Sequence, residues 1–338
     1  MAKSPPPLKS LSELTSADQV VDCFAMLALK SRGVTQSQKP YYQCRFRDAQ
    51  RTVTSMIWAD TSHFEDCEKQ WQQGQFFKLR GTYHEHEKYG PQFEIQQIRP
   101  VQDSDHDQGF NPDLLVESSR YSSEAMLEEL ITLANTEIQN EPLRDLVRSI
   151  LERNSEALKR LPATSNKFYP FRGGWLEHVL SVTKNCLRIV EHYSAHYTEL
   201  RPPLNKDLLL AGAMLHDIGR VKELSTDLEG SEETVEGRLL GHLFLGRDLV
   251  RDAVKEQGNL DPELLQLLEH LIISHLNHPE WGSPRLPLLP ECIVLHHLDD
   301  LDAKLEMYVR CLSRDQSPGP FTDRDPVLKR GLLKDRKQ

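Results

Sequence analysis

The stretch AGAMLHDIGR (211–220) places His216 and Asp217 side by side at the end of an apolar run, just before Ile218. Apolar residues at this density predict a segment that is buried in the core of the fold. Burying a charged or strongly polar pair is costly unless something satisfies it. The stretch therefore predicts a buried partner for both side chains.

Histidines recur in the same setting elsewhere in the second half of the chain. Three further segments place a histidine within an apolar run: His178 in GGWLEHVLSV (173–182), His242 in GRLLGHLFLG (237–246) and His275 in HLIISHLNH (270–278). In VLHHLDDLDAKL (294–305), Asp299 has His296 three residues before it and Asp302 three after it. One histidine on an apolar face is usually a core residue. Several of them together with carboxylates indicate a shared divalent cation, which makes their burial tolerable.

The donor types narrow the choice of metal. Mixed nitrogen and oxygen donors favour Mn, Fe, Co or Zn over a site built on thiolates. The six cysteines are scattered and form no CxxC pair, which argues against a zinc ribbon and is typical of a reducing cytoplasm. Four other histidines lack the apolar setting and are predicted to be surface or structural residues: His84, His86, His192 and His196.

The second half of the chain has the hydrophobic period of helices. SSEAMLEELITLANTEIQ (122–139) opens with capping serines, and DPELLQLLEHLIISHL (261–276) opens with Asp261 as the N-cap and Pro262 at the first helical position. No strand pattern occurs between residues 122 and 310. This half is therefore predicted to be all α.

The first hundred residues have the pattern of strands. Between the third and fourth of five β-prone stretches lies a short helical one, TSHFEDCEKQWQQ (61–73), with Thr61 or Ser62 as its cap. The strands are predicted at 20–32, 40–49, 51–60, 74–85 and 91–101. This order is that of a five-stranded Greek-key OB barrel, although other small barrels and sandwiches share much of it.

Length and composition favour two domains with separate cores. The chain has 338 residues, of which 38% are hydrophobic and 27% charged. We expect an α+β multidomain protein: an OB-type barrel at 14–101, a linker at 102–120, an all-α domain at 121–312 and an extended tail at 313–338. No apolar run approaches the roughly 20 residues of a membrane span. The N-terminal MAKSPPPLKS has no apolar core, so no secretory signal is expected.

The distribution of charge along the chain indicates which part would bind a polyanion. Residues 1–100 carry 13 Lys and Arg against 11 Asp and Glu, whereas the remainder carries 28 against 40. The candidate contacts of the barrel are the aromatic faces of Tyr41, Trp58 and Phe76 and the cations of Arg45, Arg47, Lys78 and Arg80. Lys78 and Arg80 alternate with Phe77 and Leu79, which predicts that they share the outer face. The alternative for the aromatic residues is burial in the barrel core.

The second half resembles the HD metal-dependent phosphohydrolase superfamily, whose signature is H…HD…H…H…D. The blocks GGWLEH, LNKDLLLAGAMLHDIGRVKEL, EGRLLGHLFLG, ISH…GSP and LHHLDDLDAKLE, with the tail segment FTDRDPVLKRGLL, are similar to those of YhaM-type 3′-to-5′ exoribonucleases. Those enzymes join an N-terminal OB domain to an HD domain, and the likeness covers roughly residues 14–330. The residues that match the signature are His178, His216, Asp217, His242, His275 and Asp299.

The resemblance implies two divalent ions. One would be held by His178, His216, Asp217 and Asp299, and the other by His242, His275 and the second oxygen of Asp217. Mn²⁺ is the expected ion, with Fe²⁺, Co²⁺ or Zn²⁺ as alternatives. The implied reaction is hydrolysis of single-stranded RNA from its 3′ end to nucleoside monophosphates, by water activated between the two metals. Single-stranded DNA is a second candidate substrate.

Two cations follow the HD pair by one helical turn. Arg220 and Lys222 are predicted either to hold phosphate oxygens beside Asp217, as part of the catalytic set, or to form a charged helix end that faces water. Arg220 also replaces the lysine of the family's HDIGK block.

Other positions depart from the family pattern. Phe168 and Tyr169 stand where the family often has two histidines, and Leu276 replaces the second histidine of SHH. In the barrel half, Ala-Gln-Arg follows Asp48 where a turn glycine is usual. The full set of metal ligands is retained.

Two other functions fit parts of the sequence. One is a phosphodiesterase or phosphohydrolase of small nucleotides, for which a barrel with a polymer groove is unnecessary. The other is a nucleic-acid-binding regulatory protein with an inactive HD domain, for which a complete set of buried ligands is unnecessary. A cytoplasmic protein without a membrane partner is expected, and a homo-oligomer is compatible with the sequence.

Overall fold

The computed structural model describes residues 6–16, 20–35, 37–86, 90–225, 232–315 and 317–334. The chain forms two compact units, Met1–Ser118 and Ser119–Gln338. Among the described residues, no helix is both long enough and apolar enough to cross a membrane.

The first unit is a closed five-stranded barrel. Its strands are β1 (Val21–Val34), β2 (Pro40–Arg47), β3 (Thr52–Trp58), β4 (Phe76–His86) and β5 (Gly90–Pro100), and helix α1 (Phe64–Lys69) lies between β3 and β4. The order around the barrel is β1-β2-β3-β5-β4, and β1 closes it by pairing with β4. Only the pairing of β3 with β5 is parallel. This is the arrangement of an OB fold, and the fold class predicted for this half is confirmed.

Alternation along the strands builds the barrel core. On β2, Tyr42, Cys44 and Phe46 are buried, while the side chains between them lie on the outer face. The ring of Phe46 packs edge-on against Phe77 on β4, with 5.9 Å between the ring centroids, and against Trp71 at 6.4 Å. Aromatic rings from opposite sides of the barrel therefore fill its interior.

Side-chain hydrogen bonds stabilise the turns that follow β2 and β3, and the sequence pattern did not predict these bonds. The cap predicted at Thr61 or Ser62 is wrong: α1 follows His63, and the Thr61 hydroxyl instead donates to the Trp58 carbonyl at 2.8 Å. After β2, Asp48 Oδ1 accepts from the backbone N–H groups of Gln50 at 2.8 Å and Arg51 at 2.6 Å. This Asp-based turn replaces the glycine that relatives often use there.

The segment after β5, where a linker is expected, packs on the barrel. It contains two 3-10 helices, Asp103–Gln108 and Pro112–Leu114. The buried Asp105 carboxylate accepts two hydrogen bonds from Arg99, both at 2.6 Å. The ring of Phe110 lies 5.3 Å from that of Phe24 on β1. Short 3-10 turns have neither the hydrophobic period of an α-helix nor that of a strand. For this reason the sequence of this segment resembles that of an irregular linker.

The second unit is helical. Its helices are α2 (Ser123–Glu137), α3 (Glu141–Arg153), α4 (Ser155–Leu158), α5 (Gly174–His196), α6 (Lys206–Leu215), α7 (Arg220–Glu223), α8 (Val235–Gln257), α9 (Pro262–Ser274) and α10 (Pro290–Arg314). In the described part of this unit, β pairing is limited to two isolated bridges. The predicted caps are confirmed, because Ser122 accepts from Ala125 N at 3.3 Å and Asp261 accepts from Leu264 N at 2.9 Å.

Helix α6 lies at the centre of the helical unit. All residues from 208 to 215 are buried, and the helix packs against α5, α9, α10 and α3. A helix that is apolar on every side is a core helix. This explains the apolar run at 208–215, and it means that the chain enters the turn at His216 from inside the core.

The tail, predicted to be extended, turns back on itself within residues 317–334. Thr322 N donates to the Leu332 carbonyl at 2.8 Å, and both residues are buried. Lys334 Nζ donates to Asp315 Oδ2 at 2.7 Å. Among the apolar side chains of this loop, Leu332 is the buried one, at 4% exposure, and it anchors the loop. Residues 335–338 of the predicted tail lie outside the described residues.

Candidate metal centre

The fold brings the six predicted metal ligands together. They come from α5 (His178), the end of α6 (His216), the turn that follows (Asp217), α8 (His242), the end of α9 (His275) and α10 (Asp299). None of them is more than 8% exposed. Segments that are far apart in sequence therefore deliver their polar side chains to one point inside the helical unit.

The histidine rings direct Nε2 toward two carboxylates. The Nε2 atoms of His178 and His216 lie 3.1 and 3.9 Å from Asp299 Oδ1. Those of His242 and His275 lie 3.2 and 3.8 Å from Asp217 Oδ1. His275 Nε2 also lies 4.0 Å from Asp299 Oδ2. The ligand atoms form three groups of three, and the atoms within each group lie within 4.8 Å of one another. Asp217 belongs to two of these groups. One of these two contains His178 and His216, and the other contains His242 and His275.

The opposite ring nitrogen of each histidine has a protein acceptor. Nδ1 of His216 donates to the Ala213 carbonyl and Nδ1 of His275 to the Ile272 carbonyl, both at 2.8 Å. Carboxylates accept from the other two: Asp302 Oδ2 from His178 Nδ1 at 2.8 Å, and Glu223 Oε1 from His242 Nδ1 at 3.2 Å. A ring whose Nδ1 carries the proton presents the Nε2 lone pair, and metal-binding histidines are oriented in this way.

Four of the atoms that face the centre have no hydrogen-bond partner among the described residues. Those of the predicted ligands are Nε2 of His178, His216 and His242 and Oδ1 of Asp217, all buried. An unsatisfied buried polar atom costs about 1–3 kcal/mol, more for a charged group, so four at one point are a large penalty. Divalent cations bound among them would remove it, and the donor set of imidazole nitrogens and carboxylate oxygens fits such ions.

At three of the ligands the electrostatics favour the protonation state that a metal requires. The exception is His178: burial lowers its pKa, but Asp299 and Asp302 raise it to about 10, so metal binding there would release a proton. Burial and the neighbouring His216 lower the pKa of His275 to about 3, so its ring is neutral near pH 7. Burial alone would raise the pKa of Asp299, but the adjacent imidazoles of His178 and His216 lower it to about 2. Burial is likewise outweighed at Asp217, where Arg220 and His242 hold the pKa well below its usual range. Neutral imidazole and ionised carboxylate are the binding forms of these ligands.

Two glycines place His242 at the centre. Helix α8 is interrupted at Gly241, whose φ of 72° lies in the left-handed region, and His242 opens the second helical segment. A Cβ on Gly219 would lie 2.0 Å from the His242 carbonyl oxygen, so only glycine lets these backbones approach. Glu223 Oε1 also accepts from His242 N at 3.0 Å. The glycine of HDIGR is thus needed for packing against α8.

Arg220 is engaged inside the protein. Its side chain is 14% exposed, Nε lies 3.4 Å from Asp217 Oδ2, and the guanidinium donates to Glu223. The alternative of a helix end facing water is therefore wrong for this residue. Lys222 is half-buried, and within the described part of the chain its side chain makes no hydrogen bond or ion pair. Phosphate contact by either residue stays a prediction, and the geometry favours Lys222 for it.

Replacing Arg220 by alanine is expected to destabilise the protein by about 3–5 kcal/mol, because it leaves the buried Asp217 and Glu223 carboxylates uncompensated. Arg220→Lys should recover part of this loss, whereas Lys222→Ala should leave stability unchanged. The free energy of unfolding in urea, measured for all three, provides the comparison. Equal stability of Arg220→Ala and the wild type would show that Arg220 does not position these carboxylates.

Aromatic rings stand where the family often has two histidines. The ring centroids of Phe168 and Tyr169 lie 5.0 and 5.5 Å from that of His178. Tyr169 is buried, and its backbone N–H donates to Glu306 Oε2 at 3.0 Å. These rings cover one side of His178 and shield it from solvent. Unlike a pair of histidines, they offer no positive charge that could bind a phosphate.

On the barrel, the outer face of β2 and β3 carries exposed aromatic side chains. Tyr41 and Trp58 are paired in register, and their ring centroids lie 5.3 Å apart. Trp58 is 43% exposed and Arg45 is exposed on the same face, so burial in the core does not apply to this pair. Phe76 differs, because it packs against Phe110 with 5.6 Å between centroids.

The other predicted barrel cations are less available. Phe77 and Leu79 are fully buried, which places Lys78 and Arg80 on the outer face as expected. However, Arg80 donates to both oxygens of Asp22, at 2.6 and 2.8 Å, and Lys78 Nζ donates to Gln108 at 2.5 Å. Arg47 is half-buried. Arg45 is therefore the most accessible of these cations.

Two site residues were not assigned a role from the sequence. Asp302 orients His178 and also accepts from the Ser181 hydroxyl at 2.5 Å, and Glu223 orients His242. The signal for Asp302 is its position one helical turn after Asp299. Glu223 lies three residues after Arg220, at the spacing of a helical ion pair.

Comparison with known proteins agrees with this site. Residues 175–304 match the HD domain family, so the helical unit contains an HD-type phosphohydrolase domain. The 3′-5′ exoribonuclease YhaM of Shouchella clausii (strain KSM-K16) is 31% identical over 314 residues, covering 92% of this chain and 91% of that protein. The corresponding YhaM of Bacillus subtilis (strain 168) is 30% identical over 313 residues, covering 92% and 93%. The chain belongs to the YhaM 3′-5′ exoribonuclease family, whose members are hydrolases.

Among solved structures, a domain of replication protein A from Methanococcus maripaludis is similar to part of the chain. It covers 29% of this chain and 98% of its own, at 12% identity and a TM-score of 0.23. That TM-score is too low to bear on function, and the strand order of the barrel defines its fold.

Proposed function

We propose that the protein is a metal-dependent 3′-to-5′ exoribonuclease that hydrolyses single-stranded RNA to nucleoside monophosphates. The observation that carries this proposal is the convergence of buried histidine and aspartate side chains whose unpartnered atoms face one another. Membership of a family whose named relatives are 3′-5′ exoribonucleases supports the polymer substrate and the direction. The retained ligand set disfavours an inactive regulatory domain.

Two divalent ions fit the ligand atoms. His178, His216 and Asp299 would hold one, His242 and His275 the other, and Asp217 would be shared by both. Mn²⁺ is the expected ion. Ions bound there would activate water and neutralise charge that develops on a phosphodiester. The chain itself fixes the ring orientations through Asp302 and Glu223, and Arg220 holds Asp217 in place.

The barrel would bind the strand upstream of the cleaved bond. Tyr41 and Trp58 offer stacking faces, and Arg45 offers a charge for the phosphate backbone. Stacking on aromatic rings does not distinguish ribose from deoxyribose, so single-stranded DNA is a second candidate ligand. All six cysteines are free, as expected in the reducing cytoplasm, where we place the protein.

Incubation of the Mn²⁺-loaded protein with 5′-labelled RNA, 5′-labelled single-stranded DNA and a panel of mononucleotides tests the activity. We expect a ladder of progressively shorter labelled RNA together with unlabelled nucleoside monophosphates. Immediate release of a labelled mononucleotide would mean the opposite direction. Hydrolysis of the mononucleotides alone would indicate a small-nucleotide phosphohydrolase, and binding without cleavage a regulatory protein.

The double substitution Trp58→Ala and Arg45→Ala is expected to weaken RNA binding by roughly tenfold to a hundredfold, because a base–aromatic stack contributes about 1–3 kcal/mol. Loss of one phosphate contact should also make the salt dependence of binding shallower. Lys69→Ala removes an exposed charge from α1 and serves as the control. Affinity is measured with a fluorescent RNA at two salt concentrations. An unchanged affinity of the double variant would contradict a role for this face.

A further inference from the structure

We propose that the loop between α9 and α10 (275–289) carries a stacking subsite for a nucleobase, with the indole of Trp281 as its platform. The inference rests on the proposed exoribonuclease function. It adds a part of the protein that holds the terminal nucleotide beside the metal centre.

Trp281 is exposed although it is a large aromatic residue. Of the four tryptophans, Trp71 and Trp175 are buried, at 5% and 0% exposure, whereas Trp58 and Trp281 are 43% and 51% exposed. Trp58 lies on the barrel face assigned above to RNA. Trp281 is therefore the one exposed indole in the described part of the helical unit, and it ends a 3-10 helix, Pro279–Trp281.

The platform is adjacent to the metal centre. The buried His296 donates from Nδ1 to the His275 carbonyl at 2.8 Å, and it precedes Asp299 by one turn of α10. Three residues of helix rise by about 4.5 Å. The ring centroid of Trp281 lies 6.2 Å from that of His296, and His278 packs edge-on against the indole at 4.5 Å. His296 therefore links the indole to the carbonyl of one metal ligand, His275, and to the helix that carries another, Asp299.

Internal hydrogen bonds hold the loop in this shape. The Ser283 hydroxyl is within hydrogen-bonding distance of the Ile273 carbonyl at 3.1 Å and the Arg285 carbonyl at 2.8 Å, and the residue is 3% exposed. Gly282 turns the chain with a φ of 102°, which L side chains rarely adopt. Trp281 N donates to the His278 carbonyl at 3.0 Å. Gly282 and Ser283 of the GSP block thus present the indole in a preformed position.

A cation lies beside the platform but is already paired. Lys304 Nζ lies 6.0 Å from the indole centroid, and it is the exposed end of an ion pair with Asp300 on α10. Because Asp300 offsets this charge, the feature that matches a nucleotide is the aromatic face, which can stack on its base. Because every base has a π-face, the subsite should bind the terminal nucleotide with little preference among bases.

The test compares RNA that has an ordinary 3′-terminal nucleotide with RNA whose 3′-terminal nucleotide is abasic. For the wild type, we expect KM to be roughly tenfold to a hundredfold higher on the abasic RNA. Trp281→Ala should raise KM on ordinary RNA by a similar factor and abolish the discrimination, while kcat changes much less. Trp281→Phe should keep most of the discrimination. Equal KM values of wild type and Trp281→Ala on both substrates would overturn the proposal.

A second readout is independent of RNA cleavage. Addition of a nucleoside 5′-monophosphate to the Mn²⁺-loaded enzyme should quench tryptophan fluorescence in the wild type and in Trp58→Phe, but not in Trp281→Phe. Quenching that persists in Trp281→Phe would contradict the subsite. If the wild type does not degrade RNA at all, the proposed function fails, and this quenching still decides whether the subsite exists.

Discussion

Replacing Asp217 by alanine is expected to remove nearly all RNA hydrolysis and most of the bound metal from both positions. Its Oδ1 lies 3.2 Å from His242 Nε2 and 3.8 Å from His275 Nε2, and the same carboxylate groups with His178 and His216. Without it, each ion would lose an anionic ligand. One would keep His178, His216 and Asp299, and the other only the uncharged imidazoles of His242 and His275. A loss of at least a thousandfold in kcat/KM corresponds to about 4 kcal/mol of transition-state stabilisation.

The matched variant is His242→Ala, which removes a ligand that belongs to only one group of ligand atoms. We expect it to lose chiefly one ion and to keep the other. Circular dichroism of both variants controls for folding, since Asp217 is also the ion-pair partner of Arg220. Full activity of folded Asp217→Ala would show that this carboxylate is not a ligand.

Replacing Asp302 by asparagine is expected to lower metal affinity and kcat/KM by roughly tenfold to a hundredfold, although Asp302 is not assigned as a ligand. Its Oδ2 accepts from His178 Nδ1 at 2.8 Å, so it holds the ring with Nε2 toward Asp299. An amide in its place carries no charge to stabilise the imidazole as a donor. The effect should appear in the Mn²⁺ concentration that gives half-maximal activity.

The neighbouring Asp300→Asn is the control for this experiment, because Asp300 pairs with Lys304 at 2.6 Å and not with a predicted metal ligand. The two variants remove the same charge from the same helix, two residues apart. If both have the Mn²⁺ requirement of the wild type, Asp302 does not orient His178.

The fold was accessible from the sequence because each half has a clear hydrophobic period. Alternation on β2, where Tyr42, Cys44 and Phe46 point inward, produces a strand pattern that predicts the barrel. The apolar run of α6 predicts a buried helix. Segments 102–120 and 313–338 were harder, because their order comes from single contacts such as Arg99 with Asp105 and Thr322 with Leu332. Contacts of this kind have no period.

The site was predictable in its ligand types but not in its supporting contacts. Buried histidines in apolar runs stand out, since burial of a polar group needs a reason. Whether a charged residue near them faces water, a ligand or another side chain depends on tertiary packing. Arg220 illustrates this. Its ion pairs with Asp217 and Glu223 have the local spacing of a helix, but their burial depends on the tertiary fold, in which α7 packs against α8.

The same limit applied to the barrel surface. Lys78 and Arg80 were placed on the outer face by alternation, but their partners Gln108 and Asp22 lie elsewhere in the chain. A cation that already has a buried or bidentate partner is a poor phosphate contact. Sequence alone does not separate such cations from an accessible one such as Arg45.

We propose that the Asp217 carboxylate is shared by two divalent ions. The most direct test is the number of metal ions per chain, measured by mass spectrometry on the Mn²⁺-loaded wild type, Asp217→Ala and His242→Ala. We expect about two ions in the wild type, close to none in Asp217→Ala and about one in His242→Ala. A single ion in the wild type, or equal losses from the two variants, would contradict the shared carboxylate and indicate a mononuclear site.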